Sequence, residues 1–130
     1  MFGQRANVNR LIWLVVDAVL IWLAIGQWSR MNLWALLFWG VAPDLFGLLP
    51  AALMGRAPGK GMLPPRGVPL YNAWHTFWTP VLVGLVAWAL RGSLPIEMMI
   101  GWGIHIATDR VVGYGLRAGD GSIRPVTLVA

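Results

Sequence analysis

The sequence contains no cysteine and very little charge of either sign. Of its 130 residues, 12% are charged and only 5 are Asp or Glu. The absence of cysteine excludes disulfides, thiolate metal ligands and thiol nucleophiles. The scarcity of charge, with 58% hydrophobic residues and a mean hydropathy of +0.65, lies far outside the composition of a soluble globular domain. The chain is therefore predicted to be an integral membrane protein.

Long alternations of polar and apolar residues are also absent, which excludes a transmembrane β-barrel. Four apolar stretches are long enough to cross a hydrocarbon core of about 30 Å as helices, which takes roughly 20 residues each. They are residues 9–28, 32–53, 70–90 and 94–115. Because the intervening turns at 29–31 and 91–93 are very short, the expected fold is all-α, with four transmembrane helices packed as two antiparallel hairpins. Pro43, Pro50 and several glycines predict kinks in the second and fourth helices.

The remaining segments define the expected organisation. Residues 55–69, rich in Gly and Pro, predict a loop between the hairpins. Residues 1–116 form the expected single transmembrane domain, and residues 117–130 an exposed tail. With four spans, both termini and this loop share one side of the membrane, and that side carries eight of the ten basic residues: Arg5, Arg10, Arg56, Lys60, Arg66, Arg110, Arg117 and Arg124.

This charge asymmetry predicts the orientation of the protein. Under the positive-inside rule, both termini and the loop are expected to be cytoplasmic. The basic residues do not cluster on a soluble face with interleaved aromatic residues, so nucleic acid is not an expected partner. Membrane lipids are the expected partners.

Nine tryptophans are present, and they fall into two groups. Trp28, Trp34, Trp74 and Trp78 lie near the predicted span ends, where aromatic belts form. Five others lie deeper, and they can face lipid, a neighbouring subunit or a pigment: Trp13, Trp22, Trp39, Trp88 and Trp102.

Five ionisable residues interrupt the apolar stretches: Asp17, Asp44, His75, His105 and Asp109. From the helical rise, all five lie about 8 to 14 Å from the cytoplasmic end of their spans, hence in one leaflet. Glu97 instead lies near the start of the fourth span, at the opposite end, where the positive end of the helix dipole stabilises a carboxylate. Because a carboxylate near mid-membrane costs about 2.5 to 3.5 kcal/mol, the five are expected to face inward and to meet partners.

Helical spacing indicates which of them meet. His105 and Asp109 are four residues apart and share a helix face, as do Tyr71 and His75. If the inner faces of helices two, three and four come together, two imidazoles and two carboxylates converge, a ligand set that suits zinc, iron or manganese. The candidate polar site is Asp17, Asp44, Tyr71, Asn72, His75, His105, Asp109 and Arg110, and the candidate ligands for a divalent metal such as zinc are Asp44, His75, His105 and Asp109.

The spacing favours a polar clasp without metal over a metal site. In the clasp, His105 and Asp109 hydrogen-bond each other and Arg110 neutralises a carboxylate. The position of Arg110 near the cytoplasmic end instead favours snorkelling to lipid phosphates. For Asp17, a hydrogen bond to a neighbouring helix is the simplest expectation.

Two motifs, YNAWHT at 71–76 and GWGIHIATDRVVGYGLR at 101–117, resemble a family of small bacterial membrane proteins catalogued as domain of unknown function 4260. The family pattern also has a Pro-Asp step like Pro43 and Asp44, and a PR-x-G element matched at 65–67. Asp17 stands where the pattern typically has Glu. The tail, residues 125–130, lacks the histidine with which the pattern tends to end. The resemblance implies the fold, the site residues and a location in the inner membrane of a bacterium, but no reaction.

Several functions are compatible with the sequence. A metal-dependent hydrolase would use the four ligands to activate water near lipid headgroups, with the basic loop attracting an anionic headgroup. A non-catalytic subunit or assembly factor of a larger membrane complex, or a homo-oligomer, would pack through its tryptophan-rich faces. A transporter or proton relay would pass protons along inward carboxylates and histidines.

Overall fold

The computed structural model describes residues 2–128, and this part of the chain is helical with a single isolated β-bridge, between Arg117 and Ile123. The six α-helices are α1 (Phe2–Gly26), α2 (Leu33–Ala42), α3 (Leu49–Ala52), α4 (Val68–His75), α5 (Trp78–Arg91) and α6 (Ile96–Val112). A π-helical segment, Pro43–Leu48, joins α2 to α3, and short 3₁₀ helices occupy Trp28–Arg30 and Pro65–Gly67. Helix α1 begins seven residues earlier than the sequence predicts.

Helix α6 is the centre of the fold. It packs mainly on α1 and α2, and more lightly on α5. Its approach to α2 is close because Gly101 lacks a side chain: a Cβ there would lie 2.7 Å from the carbonyl oxygen of Leu36. The predicted pairing of the first two spans as a hairpin is therefore not confirmed, since both pack principally on α6.

The predicted third span is broken. Helix α4 ends at His75, Thr76 is extended, and α5 begins at Trp78 after a bend of 58°. Pro80 lies in the first turn of α5, where its missing N–H is tolerated. If α4 and α5 formed one continuous helix, Pro80 would lie in its interior and would remove a helical hydrogen bond. The buried guanidinium of Arg110 donates to the freed carbonyl of His75, which stabilises the end of α4.

Two helical segments are long and apolar enough to span a membrane, Gly3–Gly26 and Leu33–Ala52. The bent pair Pro65–His75 and Trp78–Arg91 makes a third if it counts as one span. Helix α6, with 17 residues, is shorter than the predicted fourth span. The chain thus has the helices of a membrane protein, with two or three candidate spans.

The C-terminal segment is exposed over most of its described length, but three buried residues, Arg117, Gly121 and Val126, anchor it to the rest of the protein. Arg117 is buried and donates to the carbonyl oxygens of Gly61 at 2.7 Å and Gly121 at 3.2 Å, while the N–H of Leu63 donates to Gly121. Farther on, Trp13 donates from its indole to the carbonyl of Thr127. The tail therefore joins the loop of residues 55–69 to α1. The last two residues of the predicted tail, 129 and 130, lie outside the described residues.

The tryptophans divide differently from the prediction. Trp13 and Trp102 are buried, and Trp102 stacks between Trp39 and Trp74 at centroid distances of 5.9 and 4.6 Å. Trp74, predicted to join an interfacial belt, thus belongs to an internal aromatic stack. Trp22 and Trp88, among others, remain exposed on the outer surface.

Candidate metal centre

The π-helical segment between α2 and α3 carries Asp44. Pro43 has no N–H to continue the α-helical ladder, and π-helical turns of this kind are frequent at functional sites. Gly47 in the same segment contacts α4: a Cβ there would lie 2.6 Å from the Cβ of Trp74 and 3.4 Å from Cε1 of His75. The absence of a side chain at Gly47 therefore allows the segment to reach the histidine.

The two imidazoles are each anchored by a backbone carbonyl. Nδ1 of His75 lies 2.9 Å from the carbonyl oxygen of Tyr71, and Nδ1 of His105 lies 2.7 Å from that of Gly40. Because a carbonyl can only accept, Nδ1 is the donor in both contacts. In neutral imidazoles, each Nε2 then presents its lone pair to the space between α2, α4 and α6. Metal-binding histidines are fixed in this way by an outer hydrogen bond.

Two carboxylates face these nitrogens. The distance from Asp44 Oδ1 is 3.3 Å to His75 Nε2 and 3.4 Å to His105 Nε2. Asp109 Oδ2 lies 3.4 Å from His105 Nε2 and 3.7 Å from His75 Nε2. The ligand atoms of Asp44, His75 and His105 all lie within 4.8 Å of one another. The predicted convergence is thus observed, and the name metal centre is used below for these four residues.

The metal centre is closed on the imidazole side and open on the carboxylate side. The side chains of His75 and His105 are 1% and 12% exposed, whereas those of Asp109 and Asp44 are 22% and 52% exposed. His105 Nε2 is buried and makes no hydrogen bond to the described residues. An occupant of the centre would therefore contact buried nitrogens from an accessible side.

Tyr71 and Arg110 support His75. The Tyr71 ring stacks on the imidazole at 3.9 Å, and the guanidinium of Arg117 lies over the Tyr71 ring, 5.2 Å from its centroid. Arg110 is 1% exposed and donates to the carbonyls of Tyr114 and His75. The favoured prediction of a snorkelling Arg110 is wrong, because the carbonyl of His75 at the end of α4 and that of Tyr114 after α6 provide acceptors inside the protein.

Two predicted site residues lie apart from the metal centre. Asn72 exchanges hydrogen bonds with the backbone N–H and carbonyl of Arg117, at 2.8 and 3.0 Å, and so fixes the tail. Asp17 accepts from the Thr108 hydroxyl at 2.9 Å on the side of α6 that packs on α1. Asp17 thus meets the simpler expectation of a hydrogen bond to a neighbouring helix.

Sequence reasoning missed three contributors. The carbonyl of Gly40 orients His105, but a backbone acceptor has no sequence signal. Gly47 allows close packing, and its only signal is its place three residues after Asp44. Arg117 was counted as a cytoplasmic charge, although it is buried against Tyr71.

Comparison with known proteins agrees with the resemblance noted from the motifs. A sequence model of the family described as Domain of unknown function (DUF4260) matches residues 7–124. No curated protein and no solved structure matches the chain. The matched region contains every residue of the metal centre and covers nearly the whole chain, so the protein belongs to the DUF4260 family.

Proposed function

We propose that this protein is an integral membrane protein that binds a divalent metal ion of the zinc class at Asp44, His75, His105 and Asp109. The observation that carries the proposal is the pair of Nε2 atoms that meet the same two carboxylates. Neutral imidazole and carboxylate are ligands that zinc, iron and manganese accept.

The distances favour a metal over a clasp of imidazolium and carboxylate groups. A hydrogen bond from a charged N–H to a carboxylate is about 2.7 to 2.9 Å long. The four contacts here are 3.3 to 3.7 Å, and each Nε2 has two carboxylate neighbours although it could direct only one proton. Ligands placed tetrahedrally at about 2.0 to 2.2 Å from zinc are separated by about 3.3 to 3.6 Å. A cation held by Asp44, His75 and His105, with Asp109 beside it, would account for these contacts.

The ligand set also suggests what the centre does. Asp44, His75 and His105 form a compact group of the kind that holds catalytic zinc with three protein ligands and one exchangeable position. Asp109, on α6, also contacts both imidazoles. It serves either as a fourth ligand or as a base beside the exchangeable position. When bound, the ion supplies Lewis acidity and brings the pKa of a water ligand to about 7.

We further propose that the metal centre lies near the cytoplasmic face of a bacterial inner membrane. Four crossings result if the bent pair α4 and α5 forms one span and the enclosed α6 forms another. Arg10, whose Nε donates to the carbonyl of Val111, lies with Arg110 and Arg117 at the same end of the bundle as the metal centre. Under the positive-inside rule, such a basic end faces the cytoplasm.

A role as a subunit of a larger membrane complex is the competing proposal. It is supported by two exposed tryptophans: Trp22, within α1, is 70% exposed, and Trp88, on α5, is 53% exposed. Trp is enriched at protein interfaces. Purification in mild detergent distinguishes the two, since a dedicated partner would co-purify in a fixed ratio and would be lost in a Trp22→Ala variant.

Metal analysis tests the main proposal. Protein purified in detergent, stripped with a chelator and reloaded with zinc is expected to retain about one equivalent after desalting. His75→Ala and His105→Ala should each lose it. Glu97→Gln is the matched control, because Glu97 lies about 18 Å along α6 from Asp109 and accepts from the N–H of Asn32. Equal zinc retention by the wild type and both histidine variants would contradict the proposal.

A further inference from the structure

Exposed aliphatic side chains flank the two carboxylates of the metal centre along their helices, and they are called the apolar rim below. Asp44 is the most exposed of the four ligands, and its helical neighbours Val41 and Leu45 are 56% and 44% exposed. On the facing helix α6, Val112 lies one turn beyond Asp109 and is also 56% exposed. An ion in the centre would thus be reached between aliphatic side chains of two helices, along the lateral surface of a membrane protein.

The charges behind the centre are positive. A divalent ion with two carboxylates and two neutral imidazoles carries no net charge. Arg110, which donates to the carbonyl of the ligand His75, and Arg117, which lies over Tyr71, are both nearly inaccessible to solvent. Because charges are screened little in such surroundings, an anion near the ion is favoured over a neutral or cationic group.

From the apolar rim and the positive surroundings, we infer that the open position of the metal centre receives the phosphate of an anionic membrane lipid, which enters sideways from the bilayer. The inference rests on the proposed function, since the phosphate oxygen would take the exchangeable position on the ion. Acyl chains would lie against Val41, Leu45 and Val112, which are surfaces that a soluble phosphate does not use. Burial of aliphatic surface would then add to the affinity for the lipid.

Cobalt provides the test, because Co²⁺ occupies zinc sites and its visible spectrum changes when a ligand exchanges. The cobalt-loaded protein in a neutral detergent is titrated with dihexanoyl phosphatidic acid and, separately, with glycerol 3-phosphate, which has the same phosphate without acyl chains. We expect the lipid to change the spectrum at a concentration at least about 10-fold lower than glycerol 3-phosphate requires. Loss of a few buried CH₂ groups would account for a difference of that size.

A rim variant tests the lateral path. Val112→Asn should weaken the response to the lipid at least about 3-fold and leave both the cobalt spectrum and the response to glycerol 3-phosphate unchanged, since one lost aliphatic contact is worth on the order of 1 kcal/mol. Val86→Asn is the matched control, because Val86 is 58% exposed on α5, outside the rim.

The outcomes separate the inference from the proposed function. Failure to bind cobalt would contradict the metal centre itself. Cobalt binding with equal responses to both phosphates would overturn the lipid in favour of a soluble phosphate ester. Cobalt binding with no response to either would overturn the inference and leave a metal ion that exchanges no ligand.

Discussion

Helix α6 carries two polar contacts on neighbouring faces, and they differ in what surrounds the carboxylate. Toward α2 and α4, His105 and Asp109 meet a second imidazole and a second carboxylate, and the group is open on one side. Toward α1, Thr108 donates to Asp17, which is 8% exposed and whose other oxygen Oδ1 has no hydrogen-bond partner among the described residues. On the α1 side, one hydroxyl satisfies part of a carboxylate, whereas on the other side four groups of ligand type come together, which is the basis of the proposed cation site.

The contrast shows why an acidic residue in an apolar helix is not by itself a sign of a metal site. Asp17 and Asp44 look alike in the sequence, since each interrupts an apolar stretch. Asp44 differs from Asp17 because it lies beside two imidazoles, and each imidazole donates its Nδ1 proton to a backbone carbonyl. Substitutions on one face of α6 should therefore leave the other face unchanged, and the measurements below of zinc affinity and of stability test this.

The largest expected effect is on zinc affinity when the carboxylates are exchanged for amides. Asp44→Asn should lower the affinity by more than about 100-fold, because removal of an outer-shell group already costs 10 to 100-fold. Asp109→Asn should lower it by about 10-fold, since Asp109 makes the longest of the four contacts. Affinity is measured by competition with a chromophoric chelator.

Asp17→Asn is the control for these variants. Because Asp17 has its own partner on the α1 side, zinc affinity should stay within about twofold of the wild type, as for independent sites. A loss of zinc affinity in Asp17→Asn as large as that in Asp44→Asn would break the distinction between the two faces.

A smaller effect is expected when the π-helical segment is pushed away from α4. In Gly47→Ala, the new Cβ would lie 2.6 Å from the Cβ of Trp74, so the segment that carries Asp44 must shift. Zinc affinity should fall about 10-fold, and the free energy of unfolding by about 1 to 3 kcal/mol. Gly26→Ala is the control, because nothing lies within 4 Å of a Cβ there and Gly26 ends α1, away from the metal centre. Unchanged affinity in Gly47→Ala would show that the position of Asp44 does not matter for the metal.

The smallest effect is expected on the other face of α6. Thr108→Val removes the hydroxyl that donates to Asp17 and should lower the free energy of unfolding in detergent by about 1 kcal/mol, with zinc affinity unchanged. Thr108→Ser keeps the hydroxyl and should retain most of the stability. If Thr108→Val instead weakened zinc binding, the two contacts of α6 would be coupled.

The convergence of Asp44, His75, His105 and Asp109 follows from the sequence by a physical argument. The cost of polar groups in hydrocarbon requires inward-facing partners, and the spacing of four residues places His105 and Asp109 on one face. Their role as metal ligands stays a prediction. The family was also recognisable from the two motifs, and the match over residues 7–124 confirms it.

The break between α4 and α5 was not predicted, because the polar residues near it, Asn72, His75 and Thr76, do not by themselves distinguish a broken helix from a continuous one. Pro80 was a usable signal for a helix start just before it. The partner that stabilises the break, Arg110, comes from a helix distant in the sequence. Hydropathy reports which segments favour lipid, and it does not report where a long-range donor can replace a helical hydrogen bond.

The anchoring of the tail was not predicted either, for a related reason. Residues 117–124 have the Gly, Ser, Asp and Arg content of an exposed end, yet Arg117 reaches carbonyls of the loop and Gly121 lies against Leu63. A Cβ at Gly121 would lie 1.9 Å from the Leu63 carbonyl oxygen, so this contact depends on glycine. Backbone acceptors are the same for every residue type, and composition therefore cannot predict which segment will use them.

The most direct test of the central claim is X-ray absorption at the zinc edge on the zinc-loaded protein in detergent. The account predicts a first shell of four to five light atoms at about 2.0 to 2.1 Å, with the outer-shell scattering of two imidazole rings. A shell without imidazole scattering, or an unchanged spectrum in the His75→Ala and His105→Ala double variant, would contradict a metal centre built on these two histidines.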